Sequence, residues 1–284
     1  MENVLRTLIR DERVSLTLID ATEIVSEAIR LHHLTPSSSI ILGKALAAAT
    51  FMSACLKEET GEISVTVRGD FGSLCVSGNR KLYVRGYIDS FEDWKSCGFG
   101  NKGTFTVVRD DDYSRPFVGM CELPESGDAD GAFEEYYRIS EQLPTFIATV
   151  VELSEEGKCT FASAAVLQPL PFADEKTVRE LPKGKDLKKI AEEIKAIGLK
   201  KVAETYFSAK SVGLELREAA YKCNCSREYL KGVLVSLGRD ELEKILREEG
   251  EIKVHCHYCN RDYRFTSCLL YTSPSPRDTE RYRM

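Results

Sequence analysis

Two stretches near the end of the chain decide how it reads: Cys223-Asn224-Cys225 and, beyond residues 226–255, Cys256-His257-Tyr258-Cys259. Four thiolates in two close pairs make a complete tetrahedral shell for one zinc ion, and the fold has only two clusters to bring together. Cys223, Cys225, Cys256 and Cys259 are therefore the expected ligands of one Zn2+ per reduced chain. An all-cysteine shell leaves no open position for substrate water, so the site is expected to be structural or a sulfur-based switch. A zinc deaminase would need His-x-Glu and Pro-Cys-x-x-Cys. Val254-His255-Cys256-His257 supplies neither the glutamate nor the proline. His255 and His257 flank Cys256 but read as bystanders, because four sulfurs already fill the shell.

Around these cysteines the sequence has its own local logic. Ser226 is placed to cap a helix running through Ser236, with Gly238 ending it. Asp240 is expected to cap a second helix carrying Leu242, Ile245 and Leu246, which Gly250 ends. Residues 251–255 and 261–265 then read as short strands, with Cys256-His257-Tyr258-Cys259 as the turn between them. Residues 223–265 thus form one small zinc-binding module, too small to be stable on core burial alone.

Upstream, residues 179–222 read as an amphipathic helical linker. Leu187, Ile190, Ala191, Ile194 and Ile197 fall at helical spacing. Gly198 breaks the run, and Leu199, Val202, Ala203, Tyr206 and Phe207 restart it. Two such helices have no core of their own, so Leu187, Ile190, Ile194 and Ile197 are expected to dock on the first domain. The lysines at 183, 185, 188, 189, 195, 200 and 201 read as a solvated face.

Residues 1–178 mix short strands and helices without regular βαβ spacing, which indicates an α+β domain. Ile40 to Lys57 is helix-like, with one of Ser37, Ser38 or Ser39 as its expected cap. Ile63, Val65 and Val67 alternate with polar residues, as do Leu82 and Val84, and Gly78-Asn79 between them is a hairpin-turn signal. Phe105 and Val107 continue the pattern. Residues 146–153 and 159–167 read as a strand pair around Glu155-Glu156-Gly157. Residues 266–284 show neither helical nor strand period and read as a non-native, disordered tail.

Composition narrows the function. The chain has 284 residues, 43 % hydrophobic and 30 % charged, and a net charge of −6, which offers no global attraction to nucleic acid or an anionic membrane. Residues 1–20 carry charges throughout and do not read as a signal peptide. The apolar stretch Ile40 to Leu56 contains Lys44 and reads as too short and too mixed to span a bilayer. A cytoplasmic location is the expectation. Of the ten cysteines, Cys55, Cys75, Cys97, Cys121 and Cys159 lack ligand spacing and read as small buried hydrophobes, while Cys268 falls in the tail. No catalytic constellation emerges. Gly98-Phe99-Gly100-Asn101-Lys102-Gly103 satisfies G-x-G-x-x-G, but a strand pattern follows where a dinucleotide site needs a helix. His32 and His33 point in different directions on a helix, and Ser140 has no histidine near it in sequence. The chain does not read as an enzyme.

In order along the chain, Cys223-Asn224-Cys225-Ser226-Arg227-Glu228, Leu237-Gly238 with Glu241-Leu242, and Cys256-His257-Tyr258-Cys259 with Tyr263-Arg264-Phe265 resemble the redox-regulated 33 kDa heat-shock chaperone family of bacteria. Val84-Arg85-Gly86-Tyr87, Ser140-Glu141-Gln142 and Gln168-Pro169-Leu170-Pro171 resemble family landmarks in the first domain. The match spans roughly residues 1 to 265; family members usually continue past the last aromatic with an acidic and apolar segment that this chain lacks. The resemblance implies an ATP-independent holdase, inactive when reduced and zinc-bound. Oxidants convert the cysteines to disulfides, zinc leaves, and the unfolding regions expose a surface for unfolded client proteins. The pairs expected on oxidation are Cys223 with Cys225 and Cys256 with Cys259, the thiols nearest in sequence when the metal departs. A homodimer is one state open to the oxidised form. The alternative is a zinc-ribbon nucleic-acid-binding factor. Residues 223–265 carry eight Lys/Arg and eight Asp/Glu, a net charge of zero, which argues against phosphate binding as the main task.

Overall fold

Strands β1 (Val4–Ile9) and β2 (Val14–Asp20) form an antiparallel hairpin whose turn holds Arg10, Asp11 and Glu12 in the left-handed region. The computed structural model describes residues 2–70, 72–90, 98–111, 113, 115–209 and 213–267. The chain divides into two units, residues 1–222 and the part beginning at Cys223.

Helix α1 (Thr22–His32) ends at His33, whose φ of 50° turns the chain into α2 (Pro36–Ala54). The N-cap of α2 is Thr35, whose hydroxyl accepts from the Ser38 N–H at 3.4 Å, with Pro36 in the first turn. This corrects the expected serine cap: Pro36 lacks an N–H and has φ preset for a helix start, so the helix begins before the serines and buries Ser38 and Ser39. By length and composition α2 could cross a membrane, contrary to the sequence expectation. However, 83 % of its apolar window is buried inside the first unit, as befits a core helix.

Next come β3 (Glu62–Gly69), β4 (Gly72–Asn79), β5 (Tyr83–Ser90), β6 (Gly103–Asp110) and β7 (Phe117–Glu122). The turn after β4 lies beyond Gly78-Asn79: Gly78 is still in the ladder opposite Val84, and Leu82 takes φ 60°. Gly78 is required there by packing, since a Cβ would come within 2.1 Å of the Ser53 hydroxyl on α2. Asn79 builds the turn instead, its side-chain oxygen accepting from the N–H groups of Lys81 and Tyr83. Gly103 opens β6, so the G-x-G-x-x-G stretch leads into a strand; a Cβ there would meet the Arg68 carbonyl oxygen at 2.0 Å.

Helix α3 (Ala129–Tyr136), capped by Asp128, runs into a π-helical turn over Tyr137–Glu141. Strands β8 (Phe146–Leu153) and β9 (Cys159–Pro169) follow as an antiparallel pair. After α4 (Glu175–Glu180) comes α5 (Lys185–Phe207), interrupted at Gly198 with φ 78° and ψ 165°. Short strands β10 (Glu215–Arg217) and β11 (Ala220–Tyr221) complete the first unit.

These strands make a five-stranded sheet, β10-β1-β2-β9-β8, and a six-stranded sheet, β11-β5-β4-β3-β6-β7. Helix α2 packs against strands of both sheets, so apolar residues surround it on every side. On the other face of the five-stranded sheet, α5 buries Leu187, Ile190, Ile194 and Val202 against Leu5, Leu16, Leu18, Val150 and Leu167, with Ile197 partly buried beside them. Strand β2 is therefore covered on both faces and buried almost throughout, which removes the polar alternation of a half-exposed strand.

The second unit contains α6 (Arg227–Ser236), α7 (Arg239–Glu249) and the antiparallel hairpin β12 (Ile252–Cys256) with β13 (Arg261–Phe265). Ser226 caps α6, accepting from the Tyr229 N–H at 3.0 Å. At α7 the cap is Gly238, with φ 92°, and Asp240 lies in the first turn, where its charge favours the helix N-terminus. That corrects the expected Asp240 cap. Gly250, at φ 77°, ends α7. Leu234, Leu242, Ile252 and Phe265 form the small core of this unit.

Candidate metal centre

The cysteines of the two clusters lie at or beside the ends of regular elements. Cys223 and Cys225 lie just before the α6 cap, Cys256 is the last residue of β12, and Cys259 falls in the turn before β13. Asn260, at φ 53°, lets the chain reverse tightly after Cys259. The Sγ atoms of Cys223 and Cys256 are 3.6 Å apart and those of Cys225 and Cys259 are 3.2 Å apart. All four lie within 4.8 Å of one another. Four sulfurs about 2.3 Å from a central ion are separated by roughly 3.8 Å, so this group has the size and donor set of a tetrahedral thiolate site. Among the described residues it is the one such group of metal-ligating side chains.

Cys259 is buried and the other three are half-buried. Without a metal, burial pushes the Cys223 thiol up to about 11, aided by hydrogen bonds to Cys225 and Cys256. Cys259 is driven up for the same reason. At Cys225 burial also opposes ionisation, but hydrogen bonds from Tyr263 and the neighbouring thiols pull it down to about 7. A cation at the centre is what makes four adjacent thiolates tenable.

The Tyr263 hydroxyl lies 3.2 Å from the Cys225 sulfur. It is placed by the hairpin register, in which Val254 faces Tyr263. Spacing alone gave no sign of this contact. His255 and His257 fall outside the sulfur group: the Nδ1 of His255 lies 2.8 Å from Asp262 Oδ1, and the two imidazoles meet edge to face at 5.0 Å.

Of the unclustered cysteines, Cys121 is buried as expected, Cys55 and Cys159 are half-buried and pack against the core, and Cys75 is half-buried, so the expectation of small buried hydrophobes holds fully only for Cys121 among those described. Burial pushes the thiols of Cys55, Cys121 and Cys159 up, so they are poor thiolates near neutral pH. Cys97, Cys268 and nearly all of the tail, residues 268–284, lie outside the described residues. His32 does not pair with His33; its Nε2 lies 3.1 Å from the Tyr221 hydroxyl in the first unit.

The family model described as "Hsp33 protein" matches residues 2–266. The chain belongs to the Hsp33 family. Among Hsp33 relatives, a protein of Bacillus cytotoxicus named 33 kDa chaperonin is 31 % identical over 277 residues, covering 93 % of this chain and 95 % of its own length. A 33 kDa chaperonin of Bacillus cereus (strain AH187) is 32 % identical over 279 residues, with the same coverage of each chain. The crystal structure of the 33 kDa chaperonin (heat shock protein 33 homolog) from Thermotoga maritima superposes with a TM-score of 0.78 at 25 % identity, over 95 % of this chain and 96 % of that one. The four-cysteine group at the end of an α+β chain matches this Hsp33 fold.

Proposed function

We propose that this Hsp33-family chain is an ATP-independent holdase whose activity is set by the oxidation state of Cys223, Cys225, Cys256 and Cys259. The observation that carries this reading is the convergence of four sulfurs within 4.8 Å on a module that, among the described residues, fully buries four hydrophobic side chains in its core. Zinc is the metal that suits four thiolates in a closed shell. When bound, it would keep the sulfurs deprotonated and add about 10–16 kcal/mol of apparent stability to a module of this size.

The chain's own residues do the switching. Oxidation that joins Cys223 to Cys225 and Cys256 to Cys259 consumes the thiolates needed to hold the ion, and residues 223–265 then depend on the small cluster of Leu234, Leu242, Ile252 and Phe265 with the partly buried side chains packed around it. The docked face Leu187, Ile190, Ile194 and Ile197 is the gate: its release uncovers the apolar side of the five-stranded sheet for unfolded clients. The setting is the bacterial cytoplasm, where thiols are kept reduced until stress, and the oxidised form is open to homodimerisation.

The deciding experiment is suppression of aggregation of an unfolded protein by the reduced, zinc-loaded chain before and after peroxide, without nucleotide. Suppression only after oxidation is expected. Equal activity in both states would remove the redox reading.

A further inference from the structure

The C-terminal end of α2 borders a cavity of about 550 Å³ that lies wholly within the first unit, between strands of both sheets. Met52, Leu56, Ile63 and Leu143 give it an apolar wall, while Arg6, Cys55, Tyr137 and Gln168 bring polar groups to it. An apolar hollow of this size with a few polar groups is the make-up of a small-molecule site. Tyr137 and Glu141 stand at the two ends of the π-helical turn, an interruption that recurs at functional sites. Ser140-Glu141-Gln142 and Gln168-Pro169-Leu170-Pro171 have no task in the holdase reading, yet Glu141 and Gln168 meet at this cavity.

Two of the polar groups are buried without a protein partner. Tyr137 is 6 % exposed, with its ring against Phe51 and Tyr136, and its hydroxyl has no hydrogen-bond partner among the described residues. Gln168 is also 6 % exposed. The Thr145 hydroxyl donates to the Leu143 carbonyl at 3.1 Å, so it accepts from the Gln168 amide group, also at 3.1 Å. That fixes the orientation of the amide and leaves the Gln168 side-chain carbonyl with no partner among the described residues. Buried polar groups of this kind are normally satisfied.

The charge left over inside is positive. Glu141 is already met by Arg109 at 2.8 Å and by the Tyr136 hydroxyl at 2.6 Å, and the Arg109 guanidinium rests on the Phe117 ring. Arg6 donates one N–H to the Ala54 carbonyl at 2.8 Å and has no carboxylate in ion-pair reach among the described residues. The rest of its five-donor fork remains for a ligand. Its charge acts on the Cys55 thiol, but burial outweighs it and keeps that thiol protonated, so Cys55 adds no negative charge. Of the other charged lining residues, Lys57 and Arg115 stand against Glu58, Asp110 and Asp111 and largely cancel them.

We infer that this cavity binds a small organic carboxylate with an apolar tail, its carboxylate held by Arg6 and the Tyr137 hydroxyl and its tail lying along Met52, Leu56, Ile63 and Leu143. Hydrogen bonds to an ionised carboxylate are the stronger kind, and an arginine fork suits that group. A hydroxyl beside the carboxylate would donate to the Gln168 carbonyl. The site stands apart from the redox switch, because every lining residue falls within residues 6–168 and none belongs to the four-cysteine group.

Calorimetric titration of the reduced, zinc-loaded chain with octanoate, octanol and octylamine tests this. Octanoate is expected to bind at least about tenfold more tightly than the other two, and 2-hydroxyoctanoate more tightly still. Tyr137→Phe keeps the ring in place and should weaken octanoate by about tenfold while leaving octanol unchanged. In the unmodified chain, saturating octanoate should slow maleimide labelling of Cys55, read by peptide mapping, and not that of Cys75, which does not line the cavity. Octanol or octylamine binding as tightly as octanoate would overturn the carboxylate assignment. Octanoate that binds without slowing Cys55 would place the site elsewhere. No binding by any probe, with Cys55 labelling unchanged, would leave the cavity to water. A short peptide with a free apolar C-terminus that displaces octanoate at lower concentration would give the cavity to a chain end instead of a small molecule.

Discussion

The hydroxyl of Ser163 on β9 donates to the carbonyl of Ala191 on α5 across 2.8 Å, and both residues are fully buried. Apolar contact is non-directional and would let a helix slide on a sheet. A buried hydrogen bond fixes one register. Ser163→Ala is expected to destabilise the first unit by about 1 kcal/mol and leave metal content unchanged. Chemical denaturation followed by circular dichroism, with zinc analysis on the same sample, checks both halves. An unchanged midpoint would mean the apolar face alone sets the docking.

Ile194, 4 % exposed, lies in the same contact. Burying a side chain of this size stabilises by roughly 1.5–3 kcal/mol, and an unpaired carboxylate in its place adds a desolvation cost. Ile194→Asp is expected to release α5 and confer aggregation suppression without oxidant while zinc stays bound. A variant that keeps its zinc and suppresses nothing would take the gating role away from this helix.

Changing any one of Cys223, Cys225, Cys256 or Cys259 to serine is expected to lower bound zinc well below one per chain. The helical signal of α6 and α7 should fall with it, since among the described residues the fully buried part of their core is Leu234, Leu242, Ile252 and Phe265. Metal analysis of the four variants is the measurement. Full zinc retention in Cys256→Ser or Cys259→Ser would exclude those ligands.

The cysteine group was legible because its members are close in sequence, so spacing carries most of the geometry. Tyr263 was not, because its contact with Cys225 depends on which residue of β12 faces which of β13. Strands β3, β8 and β9 announced themselves through alternation or turn residues, and Gly198 through its break in a helical stripe. Strands β10 and β11 are too short to show any period, and β2 is buried on both faces, which erases alternation. The α2 cap and the turn after β4 were misplaced for different reasons. Pro36 is itself a local signal that the helix begins there, with Thr35 as its cap, and it was outweighed by the serines, whereas the Ser53 hydroxyl against Gly78 acts through three-dimensional fit, which a local cluster of turn-forming residues does not encode.

Oxidation is expected to give Cys223–Cys225 and Cys256–Cys259 links. In the reduced arrangement the shortest sulfur separations run between clusters, 3.2 Å and 3.6 Å, so links across the clusters are the competing outcome. Once the module loosens, however, only neighbours in sequence remain close, and the short Cys223–Cys225 loop should be the more easily reduced of the two. Peptide mapping under non-reducing conditions decides. Mainly inter-cluster links would show that oxidation outruns unfolding.

Asp130 on α3 gives the last test, through pH. One carboxylate oxygen accepts from the Thr149 N–H at 3.0 Å and the other from the Thr149 hydroxyl, so the helix covers an outward amide of edge strand β8. Burial raises the Asp130 carboxyl above the usual range, outweighing Lys44 and the Thr149 bonds, which favour the charge. The folded state therefore binds this proton more tightly than the unfolded state does. Its contribution is fully present below the unfolded value and declines as pH rises through the folded one. Asp130→Asn removes the buried charge yet retains an oxygen for the Thr149 N–H and an amide for its hydroxyl. Relative to wild type, the variant should gain stability as pH rises from about 4, the ordinary carboxylate value, toward neutrality. Denaturation midpoints of both chains across that range measure the gain, and a difference that does not change with pH would mean that the charge at Asp130 costs the fold nothing.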